Sequence, residues 1–111
     1  MRISEVFHSL DLEIHVKGDS ERALSGGVVG DLLSFVMKIA GEGNVWVTVQ
    51  NHVNVAAVAV LKEIPFVLLA SGRVPSPELV DRCRQEGIAL ATSTLDAYPL
   101  CGKLYELGLK D

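Results

Sequence analysis

The sequence predicts an α/β fold: one domain, residues 1–111, with a mostly parallel sheet and flanking helices. Three apolar runs carry that expectation. Val45-Trp46-Val47-Thr48-Val49 stops at Gln50-Asn51-His52. Phe66-Val67-Leu68-Leu69 stops at Ala70-Ser71-Gly72-Arg73, and Ile88-Ala89-Leu90-Ala91 stops at Thr92-Ser93-Thr94. A helical pattern follows each stop. Strands that alternate with helices form parallel sheets, and such sheets carry ligand sites at the carboxyl ends of their strands.

From the amino terminus, Ile3, Val6, Phe7 and Leu10 recur at helical spacing. Leu12-Glu13-Ile14-His15-Val16 alternates apolar and polar, the pattern of a half-buried strand. Gly18-Asp19-Ser20 marks a turn, and Ala23-Leu24 allows a brief strand. Gly26-Gly27 leads into a predicted helix over 28–40, regular from Asp31, with Leu32, Leu33, Val36, Met37 and Ala40 on one face. Asp31 is expected in its first turn, where negative charge suits the helix dipole. Val45 to Val49 reads as the central strand, apolar on both faces as in a strand buried between helix layers. Within it, Trp46 and Thr48 point one way and the three valines the other. A helix is predicted from Asn54 to Glu63 and stopped by Pro65, although its Val and Ala run also suits a strand. The alternation of units requires a crossover there. Phe66 to Leu69 is the next strand. Pro75-Ser76-Pro77 opens a helix to Glu86, with Ser76 as cap and Gly87 as stop. After the strand Ile88 to Ala91, Ser93 or Thr94 caps a last helix to Leu107, kinked or delayed by Pro99 and ended by Gly108.

The bulk properties exclude several classes. Net charge is −4, with no basic stripe, so nucleic acid is not an expected partner. The longest apolar stretch, Val53 to Leu61, is too short to span a bilayer, and Met1-Arg2 opens no signal-peptide pattern, so a cytoplasmic location is expected. Hydrophobic residues make up 49%, and mean hydropathy is +0.32. So small a domain cannot bury all of that surface, and a homodimer is the simplest cover. Cys83 lies between Arg82 and Arg84, which lowers a thiolate pKa if the thiol is exposed; a buried small hydrophobe is the plainer reading.

The pattern from Leu12 to Leu109 resembles the DRTGG domain family. The resemblance rests on Gly26 to Ser34, Trp46 to Val55, Leu68 to Gly72, Ala91 to Ala97 and Lys103-Leu104-Tyr105. Asn51-His52 stands where the family has an Asp-Arg pair, and Ala70-Ser71-Gly72 where it has Thr-Gly-Gly. The resemblance implies a fold similar to the amino-terminal domain of HPr kinase/phosphatase. It also implies a regulatory, dimer-forming module of the stand-alone branch. Members fused to CBS-domain pyrophosphatases or phosphotransacetylases carry their chemistry on other domains. Kinase activity would need a phosphate loop such as GxxxxGK[ST], which this chain lacks.

The candidate ligand site comprises Gln50, Asn51, His52, Asn54, Ser71, Gly72, Arg73, Thr92, Ser93 and Thr94. His52 offers a ring that donates and accepts, and it sits among amides that do the same. Its alternative is structural, with Asn51 and Asn54 capping a helix and His52 bonded to main chain. Arg73 suits a phosphate or carboxylate, and Thr92 to Thr94 offer hydroxyls at a helix start. Gly26-Gly27 before a helix is a weaker anion site. No catalytic residue is assigned: Ser71 and His52 lack a third, orienting group. No cofactor motif is present, and His8, His15 and His52 have no metal-ligand spacing. The expected function is therefore non-catalytic: a regulatory module binding a small anion such as a nucleotide. The alternative is a dimeric scaffold that docks onto a metabolic or redox enzyme through Trp46 or through Tyr98, Leu104 and Tyr105.

Overall fold

The computed structural model describes residues 1–111. The chain runs α1 (Ile3–Ser9), β1 (Leu12–Val16), β2 (Gly26–Val29), α2 (Leu33–Ile39), β3 (Asn44–Thr48), α3 (Asn54–Leu61), β4 (Phe66–Leu69), α4 (Pro77–Glu86), β5 (Ala89–Ser93) and α5 (Ala97–Leu107). The five strands form one sheet in the order β1-β5-β4-β3-β2. β2 to β5 are parallel and β1 is antiparallel to β5.

The parallel strands advance in one direction, so crossovers of one hand place α2, α3 and α4 on one face. There Val36, Val55, Ala59, Leu79 and Cys83 meet Trp46, Val67, Leu69 and Leu90. α1 and α5 cover the other face, where Ile3, Val6, Leu100 and Leu104 meet Val45, Val47, Phe66, Leu68, Ala89 and Ala91. The Phe7 and Phe66 rings cross edge to face at 5.4 Å. Two covered faces explain why the central strands are apolar at nearly every position. The predicted alternation of Trp46 against Val45 and Val47 holds.

Local signals placed several ends correctly. Ser76 caps α4 by accepting from the Leu79 N–H at 3.1 Å, and Gly87 ends that helix at φ +70°. The Val and Ala run of α3 is helical because a parallel β3–β4 pair needs a long crossover. Pro99 falls in the first turn of α5, where an N–H is not required.

Three expectations are corrected. Gly26 to Val29 is not a helix start but strand β2, buried at alternate residues and paired with β3 from Gly26 beside Asn44 to Val29 beside Val47. Gly26 is needed for close approach, since a Cβ there would run into the main chain of Asp111. The Gly26-Gly27 anion site therefore has no helix behind it. Second, α2 begins only at Leu33, and Asp31 serves β3: its Oδ1 accepts from the Thr48 hydroxyl at 2.8 Å and the Val49 N–H at 2.9 Å. Third, β5 extends through Ser93 because it pairs with β1, Leu12 lying beside Ser93. Neither Ser93 nor Thr94 caps α5; Asp96 holds the cap position. The strand suspected at Ala23 is a single bridge to Arg2. Cys83 is buried, and burial pushes its thiol up to about 11, which removes the activated-thiolate reading. Arg82 and Arg84 pair instead with Glu86 at 3.2 Å and Asp81 at 3.5 Å.

Candidate functional site

The carboxyl ends of β3, β4 and β5 share one rim, and side chain to main chain bonds lace their loops together. Arg73 Nε donates to the Val49 carbonyl at 3.0 Å, and Asn51 Nδ2 donates to that of Val74 at 2.7 Å. The Ser76 N–H returns a bond to the Asn51 carbonyl at 3.0 Å. Asn51 thus ties two loops and does not cap α3, which starts after Val53 without a side-chain cap. His52 and Asn54 are exposed, and their side chains bond to nothing in the protein. Gln50 is half-buried, its N–H held by the Thr48 hydroxyl at 3.1 Å.

β4 leads into a tight turn. Ser71 and Gly72 have φ +59° and +65°, and the Arg73 N–H closes on the Ala70 carbonyl at 3.2 Å. Two central residues at positive φ are the signature of a type I′ turn. The turn faces β5. The Ser71 and Gly72 N–H groups donate to the carbonyls of Leu95 and Ser93 at 2.7 and 2.8 Å. The Ser71 hydroxyl donates to Asp96 Oδ1 at 2.7 Å. No imidazole bonds to this pair.

Thr92 is buried and fully engaged. Its hydroxyl donates to the Arg73 carbonyl at 2.9 Å and lies 2.8 Å from His15 Nε2. A hydroxyl has one proton, so the imidazole must donate, which assigns its proton to Nε2. A lacing of this kind closes the crevice that an open sheet has where adjacent connections part to opposite faces. Here that place lies between β4, which leads to α4, and β5, which leads to α5.

The open space is displaced to the α1/α5 face. Strand alternation points Ser93 that way with Ala89 and Ala91. A hollow of about 300 Å³ lies there, lined by Ser9, Leu10, Asp11, Ser93, Thr94, Leu95 and Lys103. Lys103 makes no ion pair, since the four salt bridges of the chain involve only arginines. Of the ten candidate residues, Ser93 and Thr94 line this hollow. Gln50, Asn51, His52, Asn54 and Arg73 lie along the rim nearer α3 and α4. Sequence reasoning missed Ser9, Asp11 and Lys103. The spacing of buried Leu100 and Leu104 marks Lys103 as bordering the packed face of α5, but nothing local points to Ser9 and Asp11 across the fold.

Elsewhere, a hollow of about 440 Å³ opens at the amino ends of the strands, among Asp19, Arg22, Glu42, Glu63 and Glu86. No three His, Cys, Asp or Glu side chains are grouped to hold a metal ion. No helix is long and apolar enough to cross a membrane. Trp46 and Leu104 are buried, so neither offers a docking surface, whereas Tyr98 and Tyr105 are exposed.

No family model and no curated protein matches the chain. A solved structure does: the CBS and DRTGG domains of the regulatory region of Clostridium perfringens pyrophosphatase, complexed with its activator diadenosine tetraphosphate. The TM-score is 0.76 at 13% identity, over 93% of this chain. The two share a fold. The match covers 45% of the neighbour's chain, so this chain spans less than half of its length. At that identity the likeness shows the fold alone, and it transfers no residue roles.

Proposed function

We propose that the chain is a DRTGG-like, non-catalytic regulatory module that receives a small anionic ligand, a nucleotide or a phosphate-bearing part of one, at the carboxyl end of β5. One observation carries this reading. The exposed Thr94 and an unpaired lysine, Lys103, line a single hollow beside the point where the β4 and β5 connections part, together with the buried Ser93, whose Oγ accepts from the Leu95 N–H at 3.0 Å. Lys103 supplies the charge for a phosphate, and the Thr94 hydroxyl donates to one of its oxygens. Asp11 on the same wall accepts from sugar hydroxyls or an amine. A volume of about 300 Å³ suits one small ligand and not an extended dinucleotide. The neighbour's regulatory region, crystallised with a nucleotide activator, supports the class of ligand.

Thermal-shift titration with nucleotides, sugar phosphates and small carboxylates tests the reading, with every hit repeated on Lys103→Gln and on His52→Ala. A stabilising ligand whose effect is lost in Lys103→Gln and kept in His52→Ala is the expected result. The opposite pattern moves the site to the α3 side of the rim. A hit insensitive to both variants, or none at all, overturns the assignment.

A second reading, the scaffold that docks onto an enzyme, is favoured by one feature. Tyr98 is 91% exposed and borders, with Pro99, Gly102 and Tyr105, a shallow groove along α5.

A further inference from the structure

The hollow at the carboxyl end of β5 carries charge of both signs. Leu12 pairs with Ser93 in antiparallel register, which sets Asp11 beside Thr94 just past the end of the β1–β5 ladder. Lys103 comes from α5, and Ser9 ends the last turn of α1. Asp11 and Lys103 line one hollow, yet the four salt bridges of the chain include neither, so the two do not neutralise one another. Around them the loops are bonded shut. Ser71, Arg73, Thr92 and Ser93 use their side chains on bonds within the protein, whereas those of Ser9, Asp11, Thr94 and Lys103 make none.

Each sign selects a different part of a ligand. The last carbonyls of a helix have no partner within it, and the Ser9 carbonyl accepts no main-chain bond. With the Asp11 carboxylate it offers acceptors only, which repel a phosphate and receive an ammonium. Lys103 and the Thr94 hydroxyl donate, and they receive the phosphate. Half-buried Leu10 and Leu95 complete the lining, an apolar surface for a short carbon chain. One cation and one anion leave the hollow neutral. A phosphate bound there by itself brings its charge up against Asp11, whereas a ligand with an ammonium at its far end satisfies both walls.

We propose that this hollow takes an aminoalkyl phosphate: a small phosphate ester whose phosphate meets Lys103 and Thr94 and whose ammonium meets the Asp11 carboxylate and the Ser9 carbonyl. The inference rests on the reading of the hollow given above, and narrows it from small anions in general to one with a cationic end. A volume of about 300 Å³ holds both groups and the short chain that joins them. Lys103 then sets affinity for the phosphate, and Asp11 sets the choice among phosphates.

Titration calorimetry on the full chain tests it with two matched compounds, phosphoethanolamine and ethyl phosphate, which has the same chain without the ammonium. The wild-type chain is expected to bind phosphoethanolamine about tenfold more tightly, the effect of one charge-assisted hydrogen bond. Asp11 and Lys103 are both exposed, so Asp11→Asn and Lys103→Gln are expected to fold as wild type does. Asp11→Asn is expected to abolish the preference while still binding ethyl phosphate, and Lys103→Gln to weaken both compounds. Equal wild-type affinities, or a preference that persists in Asp11→Asn, overturn the inference. If both compounds then still fail on Lys103→Gln, the wider reading of the hollow stands without it. Binding of neither compound overturns the inference, and overturns the wider reading too unless some other anion stabilises the wild-type chain and not Lys103→Gln. Co-sedimentation with vesicles of phosphatidylcholine and phosphatidylethanolamine separates the two sources of this group. Pelleting that Asp11→Asn abolishes assigns a lipid headgroup, and calorimetric binding without pelleting assigns the free compound.

Discussion

Replacing Thr92 by valine separates a structural role from a ligand role at the carboxyl rim. The side chain keeps its shape and loses its hydroxyl. That hydroxyl makes two bonds, to the Arg73 carbonyl at 2.9 Å and with His15 Nε2 at 2.8 Å. A net contribution of about 1 kcal/mol per bond gives a loss of about 2 kcal/mol. The carbonyl is left without a donor, whereas the His15 ring on edge strand β1 regains water. For a domain of this length, about 4 °C per kcal/mol predicts a fall in Tm of about 8 °C. Thr92→Ser keeps both bonds and loses one methyl group, worth about 1 kcal/mol. The assay is thermal unfolding followed by circular dichroism, at one pH and one protein concentration. Valine must cost more than serine. Equal costs, or a valine variant within a degree or two of wild type, would refute the claim that this hydroxyl ties β1, β5 and the β4–α4 loop together. Because both its proton and its oxygen are engaged within the protein, Thr92→Val is also expected to leave ligand affinity unchanged, as titration calorimetry on any confirmed ligand would show.

Gly102 is an exposed position inside α5 where a Cβ meets nothing within 4 Å, so Gly102→Ala should stabilise the chain by about 1 kcal/mol in chemical denaturation. Ser76→Ala removes the α4 cap and should cost about 1 kcal/mol by the same measurement. Cys83 gives a pH prediction whose sign follows from its burial. The unfolded thiol ionises near 9.0 and the folded one only near 11, so between these values the native state binds the extra proton and stability falls as pH rises. The full loss is roughly 2 to 3 kcal/mol. Unfolding midpoints across that window should therefore fall more steeply for wild type than for Cys83→Ala, and the absence of a difference would refute the burial argument.

Much of the architecture is legible from short-range pattern. The apolar runs of β3 and β4, the Ser76 cap and the Gly87 stop are local, because a strand's face alternation and a helix's ends depend on residues within a few positions. Gly26 to Val29 shows where such reading fails. Two glycines and two valines ahead of a helical pattern have no local preference strong enough to decide, and pairing with Asn44 to Val47 makes them a strand. β5 ends at Ser93 and not Ala91 for the same reason: Leu12 and Glu13, some 80 positions earlier, pair with Ser93 and Thr92.

The rim divides in the same way. That polar residues would gather at the carboxyl ends of the parallel strands follows from strand direction alone, and all ten candidates lie at or next to those ends. Which of them stay free was decided by contacts between distant loops. Asn51, Ser71 and Thr92 are engaged with Val74, Asp96 and Arg73, and the buried Ser93 Oγ accepts from the Leu95 N–H, while Thr94 faces a hollow completed by Ser9, Asp11 and Lys103. The sequence by itself determined the class of fold, the direction of the sheet and the end at which polar groups collect, since these follow from periodicity and chain direction. Tertiary structure alone decided which strands became edges and where the open hollow lies, since a hydrogen-bond partner or a cavity wall is set by chain segments that meet only when the sheet closes.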